Sequence, residues 1–275
     1  MALKDKKLFL LDMDGTLYLS DTLFDGTPDF LAYVKRTGGR AIFMTNNSSR
    51  GLEGYIRRME GFGIPCGPED FVTSVDATIR YLKKNYDAGT RYYVCGTESL
   101  KQQLRAAGLV VAKEPGGDPG SDPGDLADAV LLGYDTELTY RKLEVCCILL
   151  SRGADYIATH PDLVCPVWYG SAPDCGSVIQ MLKTATGREP LVIGKPKPAM
   201  AEIAMERTGF SAEETVVIGD RLYTDIACGV NAGVDTIFVL SGEGTLEDID
   251  RYGIQPTYIF NGIRDVLNAL EKESL

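Results

Sequence analysis

One histidine, His160, stands among 275 residues. Within a single chain, that scarcity excludes a Ser-His-Asp triad, a three-histidine zinc site and any two-histidine acid/base pair. Cysteine is present but unorganised: seven residues at irregular spacing, one adjacent pair (Cys146-Cys147) and no C-x-x-C. Neither a disulfide framework nor a zinc site is built that way, so the thiols read as reduced and a cytoplasmic protein is expected. No apolar run is long enough to cross a bilayer. The sequence opens on Lys4, Asp5, Lys6 and Lys7, unlike a signal peptide, so no membrane association is expected. Positive charge is in the minority, 28 Lys and Arg against 39 Asp and Glu, for a net charge of −11. A field of that sign disfavours nucleic acid and anionic membrane surfaces, and an anionic substrate must be drawn by local positive charge. No internal repeat of fixed short period is present.

What the chain does have is apolar residues, 44 % of the total, enough for a sizeable core in one large domain or two modest ones. The most informative stretch is Leu8-Phe-Leu-Leu-Asp12-Met-Asp14-Gly-Thr-Leu. An uncharged apolar run of this kind reads as a strand buried on both faces. Residues i and i+2 of an extended chain point to the same side, so Asp12 and Asp14 leave the strand together. Like charges held close repel, and a divalent cation is the simplest compensation; Mg²⁺ is a hard ion suited to carboxylates and phosphate oxygens. By itself Asp-x-Asp-Gly is also a common turn string.

Short apolar strands alternate with amphipathic helices along the rest of the chain. Residues 18–25 read as a flap or loop, 28–37 as a helix, 40–45 as a strand, followed by a helix carrying Leu52, Tyr55, Ile56 and Met59 on one side. The pattern restarts near residue 91. Residues 80–186 are therefore assigned to an inserted second α/β domain, with a Gly/Pro/Asp-rich surface loop at 114–125 that carries no chemistry of its own. Beyond it the first pattern resumes, with strands at 190–193, 215–218, 236–240 and 257–260 and a closing helix at 262–271. This alternation implies a doubly wound parallel sheet.

Four apolar strands end in reactive residue types: Asp12 and Asp14, Thr45, Lys195, and Asp220. Ligands of open α/β sheets bind outside the carboxyl ends of the strands, so four parallel neighbours would bring these groups to one edge. The set suits phosphoryl transfer, which needs a nucleophile, a metal, a cation on the phosphoryl oxygens and a proton donor for the leaving alcohol. Lys195 is a compact charge suited to phosphate. Asp220 and Asp225 offer one metal ligand and one supporting group. Each has a plainer reading too: Thr45 as a cap or turn residue, Lys195 as a solvated lysine before a proline, Asp225 as a helix N-cap.

Taken in order, Asp12-Met-Asp-Gly-Thr-Leu, Thr45-Asn-Asn, Gly194-Lys195-Pro and Gly219-Asp220-Arg-Leu-Tyr-Thr-Asp225 resemble the four motifs of the haloacid dehalogenase-like (HAD) superfamily. The T-N-N and G-D-x-x-x-T-D-I forms resemble its NagD-like, or p-nitrophenylphosphatase-like, branch, which carries a large α/β cap between the second and third motifs. The resemblance spans nearly the whole chain. It implies a doubly wound parallel-sheet, Rossmann-like core at 1–79 and 187–275 and an inserted α/β cap, setting specificity, at 80–186.

The resemblance also implies roles: Asp12 as nucleophile, Asp14 as general acid and then base, and Lys195 offsetting charge on nucleophile and phosphate. Thr45 and the Asn46 backbone would hold phosphate oxygens. Mg²⁺ would be held by Asp12, the Asp14 backbone carbonyl and Asp220, with Asp225 in support. The implied enzyme is a Mg²⁺-dependent phosphomonoesterase acting on a small phosphorylated metabolite through an aspartyl-phosphate. The resemblance allows a homodimer through the cap.

The segment from Thr159 to Ser171 resembles the cap stretch that reads the leaving group. His160 stands there where relatives often have asparagine, and reads as a hydrogen-bonding substrate contact. Trp168 and Tyr169 can stack on a base or sugar, or simply pack. Two other activities stay open: a phosphotransferase or mutase using the same core, and a phospho-aspartate signalling module. Against the second stand the chain's length and the acid/base at Asp14, which would destroy a lasting phospho-aspartate.

Overall fold

The structure is a computed structural model that describes residues 2–116, 118 and 120–273. Two residues of the expected 114–125 loop, Gly117 and Pro119, lie outside the described residues. In chain order the strands are β1 (Leu8–Leu11), β2 (Tyr18–Leu19), β3 (Thr22–Leu23), β4 (Arg40–Thr45), β5 (Phe71–Thr73), β6 (Arg91–Cys95), β7 (Val110–Val111) and β8 (Ala129–Leu132). They continue with β9 (Asp155–Ala158), β10 (Val164–Val167), β11 (Gly170–Pro173), β12 (Leu191–Val192), β13 (Thr215–Gly219), β14 (Asp235–Val239) and β15 (Tyr258–Phe260). Two compact units divide the chain, one formed by Met1–Thr45, Ile56–Val72 and Lys195–Leu275, the other by Asn46–Tyr55 and Thr73–Gly194.

The first unit is built on a six-stranded sheet in the order β15-β14-β13-β1-β4-β5, and the pairings from β15 through β4 are parallel. All four residues of β1 are buried, as an uncharged run in the middle of a parallel sheet must be. Helix Thr27–Arg36 packs against helix Ile263–Glu273, and Ala199–Thr208 packs on β1 and β4. Phe9 and Phe30 meet edge-to-face, centroids 5.4 Å apart, the geometry that the ring quadrupole favours. Residues 18–25, read from sequence as a flap, contain the small antiparallel hairpin β2–β3.

The second unit has its own five-stranded parallel sheet, β12-β9-β8-β6-β7. Tyr93, Val130, Leu132, Val145, Leu149 and Ile179 belong to its core. Three of its helices begin with a threonine cap: Thr73 accepts from the Asp76 amide, Thr97 from Leu100 and Thr139 from Lys142, each satisfying an amide that the helix itself leaves unpaired. Among the described residues no helix is long and apolar enough to cross a membrane.

One strand falls elsewhere than its sequence implies. The apolar run at 190–193 reads as a neighbour of β1, but β12 pairs in parallel with β9 of the second sheet, Leu191 opposite Ile157. The four reactive strand ends therefore do not belong to four neighbouring strands; three do, and Lys195 follows a strand of the other sheet. A two-residue ladder carries too little pattern for sequence to say which sheet holds it. The hairpin β10–β11 and helix Cys175–Thr186 are also absent from the sequence reading. Pro166 and Pro173 lie inside β10 and β11, where proline demotes a strand on sequence grounds.

Candidate active site

Strand register levels the reactive ends. Leu11, the last residue of β1, lies opposite Ile218 of β13 and Phe43 of β4. One step on, Asp12 has left β1 while Gly219 ends β13 and Met44 is the last but one residue of β4, so Asp220 and Thr45 follow at the same end of the sheet. The Asp12 amide donates to the Ile218 carbonyl at 2.9 Å, extending the ladder into the first loop. Gly15 then turns the chain at φ +85°, and a Cβ there would lie 2.4 Å from Asp220 Oδ2. Only glycine meets both demands. Gly219 is likewise crowded, since its Cβ would lie 2.2 Å from the Asp225 Cβ.

Lys195 ties these loops together. Its buried ammonium donates to Asp12 Oδ1 at 2.5 Å, to Asp225 Oδ1 at 2.6 Å and to the Met44 carbonyl at 3.3 Å. Asp225 sits on a single π-turn, Leu222–Ile226, and its Oδ2 accepts from the Arg221 amide at 3.1 Å. Asp220 Oδ2 accepts from the Glu243 amide at 2.7 Å. Asp220 Oδ1 is buried with no hydrogen-bond partner among the described residues.

Three carboxylates crowded around one bonded ammonium perturb each other. Burial pushes the Asp12 carboxyl well above its ordinary range and the Asp225 charge adds to this, while Lys195 opposes it. Burial, and then Asp225, push Asp220 up to about 7, against the pull of the Glu243 amide. Burial alone would lower Lys195, but Asp12 and Asp225 outweigh it and hold the ammonium above its usual value. Carboxylates raised by desolvation and mutual repulsion are the signature of a site lacking positive charge.

A divalent cation would supply that charge. Carboxylate oxygens of Asp12, Asp220 and Asp225 lie within 4.8 Å of one another. They are hard donors of the kind Mg²⁺ takes, and the partnerless Oδ1 of Asp220 is an open ligand position. Both oxygens of Asp225 are engaged by Lys195 and the Arg221 amide, which suits a supporting group better than a ligand. The residues fit the ion.

The structure thus brings Asp12, Lys195, Asp220 and Asp225 together. Asp14 stands two residues beyond Asp12 and is exposed, with the Tyr18 hydroxyl donating to its Oδ2 at 3.4 Å. Thr45 is buried at the end of β4, next to the Met44 carbonyl that Lys195 engages. The remaining candidates belong to the second unit. Asn46 is buried and donates through Nδ2 to Asp162 Oδ1 at 2.9 Å. His160 is fully buried, with Asp162 3.7 Å from Nδ1 and Asp174 3.7 Å from Nε2. These two aspartates flank β10–β11 on either side. Trp168 is 93 % exposed at the tip of that hairpin and meets Tyr169 edge-on at 5.4 Å.

Sequence reasoning missed the Ser241-Gly-Glu-Gly244 loop, whose backbone reaches Asp220. The available signal was the same one that marked the other loops: an apolar strand, Thr236-Ile-Phe-Val-Leu, running into small and polar residues.

Comparison with known proteins agrees with this geometry. Residues 9–110 match the family described as haloacid dehalogenase-like hydrolase, and residues 192–266 match the HAD-hydrolase-like family. The acid sugar phosphatase of Staphylococcus aureus is 33 % identical over 270 residues, 98 % of this chain and 100 % of that protein. The crystal structure of 4-nitrophenylphosphatase from Thermotoga maritima shares 39 % identity with a TM-score of 0.87, covering 98 % of each chain. The glycerol phosphate phosphatase of Mycobacterium tuberculosis, solved in complex with magnesium, shares 30 % identity with a TM-score of 0.86, covering 97 % of this chain and 78 % of that one.

Proposed function

The chain belongs to the haloacid dehalogenase-like hydrolases, and from that premise we propose that it is a Mg²⁺-dependent phosphomonoesterase working through an aspartyl-phosphate on Asp12. The observation that carries this reading is the clustering of the Asp12, Asp220 and Asp225 carboxylates, two of them paired with the buried Lys195, with one oxygen of Asp220 lacking a hydrogen-bond partner among the described residues. Asp12 and Asp220, with the Asp14 backbone carbonyl, would hold the ion. Bound there, Mg²⁺ supplies Lewis-acid charge to the phosphoryl oxygens.

The chain's own residues do the rest. Asp12 attacks phosphorus, and the leaving alcohol takes its proton from Asp14. Asp14, now a carboxylate, removes a proton from water, which attacks the aspartyl-phosphate and regenerates Asp12. Exposure of Asp14 suits a group that exchanges protons with leaving group and solvent. Lys195 favours the ionised form of Asp12 against burial and the Asp225 charge, and offsets charge on the transferred group. Thr45 and the Asn46 backbone would contact phosphate oxygens.

Substrates are small phosphorylated metabolites such as sugar phosphates, nucleoside monophosphates or glycerol phosphate, met in the cytoplasm. The inserted unit acts as the specificity cap, with His160 and Trp168 among its reading residues. Phosphate release from a panel of such esters tests the proposal: turnover on at least one is expected. A phosphoenzyme persisting for minutes without turnover would instead indicate a signalling module. Phosphoryl transfer to an added alcohol in preference to water would indicate a phosphotransferase.

For Trp168→Ala the expected change is in KM across natural esters, with kcat on p-nitrophenyl phosphate largely kept. The side chain is almost wholly exposed, so its removal costs no core packing. Equal loss on every substrate would contradict a selectivity role.

A further inference from the structure

The loop that follows β14 grips both acidic loops of the site. Ser241 Oγ donates to the Gly15 carbonyl at 2.7 Å, in the turn that follows Asp14. The Glu243 amide donates to Asp220 Oδ2 at 2.7 Å, and the Gly244 amide to the Asp220 carbonyl at 3.1 Å. Gly242 lies so close that a Cβ there would be 2.0 Å from Asp220 Oδ2 and 2.7 Å from its Cβ. At Gly244 a Cβ would lie 2.3 Å from the Asp220 carbonyl oxygen. The loop is itself anchored: Arg221 Nε lies 2.8 Å from the Glu243 carboxylate, and the Tyr223 hydroxyl donates to it at 3.3 Å.

These contacts serve Asp220 more than the core. The Glu243 side chain is 42 % exposed and borders a surface cavity of about 500 Å³, so it stabilises little by burial. What the loop does is fix one carboxylate oxygen, Oδ2, with an amide proton and leave the other, Oδ1, without a partner. A carboxylate whose rotation is set by its neighbours loses little freedom when it takes a metal ion.

We infer that the Ser241-Gly-Glu-Gly244 loop is a positioning segment that sets affinity for the divalent cation, by locking the Asp220 carboxylate with Oδ1 presented and by tying it to the Asp12–Gly15 turn. The inference rests on the reading of Asp220 as a residue that holds the ion. Residues of the loop touch neither substrate nor reacting atoms; they act through Asp220.

Mg²⁺ titration of the full chain by calorimetry, paired with the rise in Tm on adding Mg²⁺, tests this without recourse to activity. Gly242→Ala, which forces Asp220 aside, is expected to weaken Mg²⁺ binding by about 10- to 100-fold, the usual cost of disturbing residues behind a metal ligand. Ser241→Ala keeps the backbone and removes one bond to the first acidic loop; about tenfold weaker binding is expected, at the low end of that range. Glu243→Gln should bind Mg²⁺ nearly as wild type does, because the backbone amide that holds Asp220 is kept and the carboxamide oxygen can still accept a hydrogen bond that anchors the loop. If Gly242→Ala fails to fold in EDTA, Ser241→Ala decides. Wild-type Mg²⁺ affinity in folded Gly242→Ala or in Ser241→Ala overturns the inference and leaves the proposed activity standing. A wild-type protein that binds no Mg²⁺ overturns the reading of Asp220 and the inference with it.

Discussion

Asp12→Asn is expected to lower phosphate release by a factor on the order of 10⁴ to 10⁶, the range seen when an enzyme loses its nucleophile. The substitution is isosteric, and an amide oxygen can still accept the Lys195 hydrogen bond that Oδ1 accepts now. An amide does not attack phosphorus. Stability should not fall, because burial and the Asp225 charge already disfavour the ionised carboxyl at this position, and a neutral side chain relieves that repulsion. Release of p-nitrophenol and the Tm of the variant, measured side by side, check both halves. A folded Asn variant with near wild-type turnover would remove Asp12 from the nucleophile role.

Lys195→Ala should be the most destabilising change in the site. The ammonium side chain is 3 % exposed and bonds two carboxylates, one of them, Asp225, 1 % exposed. Removing one member of a buried ion group strands the others, at a cost of about 3–5 kcal/mol. Urea unfolding in EDTA should show a loss of that size. Mg²⁺ should restore part of it, since a cation offsets the same excess of negative charge. Pairing Lys195→Met with Asp225→Asn should cost less than the sum of the two single changes, because the second removes a charge that the first left unpaired. A loss below about 1 kcal/mol in EDTA, the range of an exposed pair, would mean that Lys195 is not the electrostatic keystone its geometry indicates.

Residues that pack and pair in regular ways were legible in the sequence. The uncharged run Leu8–Leu11 announced a central parallel strand, and that placement, with the register beside it, sets Asp12 level with Gly219 and Met44. Lys195 was legible as a reactive residue after an apolar strand, but its route was not, because β12 is two residues long and its pairing with β9 depends on tertiary register. Asp225 reads from sequence as a cap or as a supporting group; its carboxylate accepts from Lys195 and from the Arg221 amide, contacts that no local pattern announces.

The hairpin carrying Trp168 was hidden by Pro166 and Pro173, which argue against strands locally and are accommodated in a two-stranded ribbon. The 241–244 loop was hidden for another reason. Its work is done by backbone amides and by the absence of a side chain at Gly242, and neither leaves a chemical signature in the string of residues.

The most direct test of the account is p-nitrophenyl phosphate hydrolysis by the wild-type chain with Mg²⁺, after EDTA, and after Mg²⁺ is returned. Activity with the ion, loss of it on chelation and recovery on readdition are expected, because Asp12 and Asp220 would hold the cation that supplies positive charge to the phosphoryl oxygens. Hydrolysis that continues at the same rate in EDTA would contradict it.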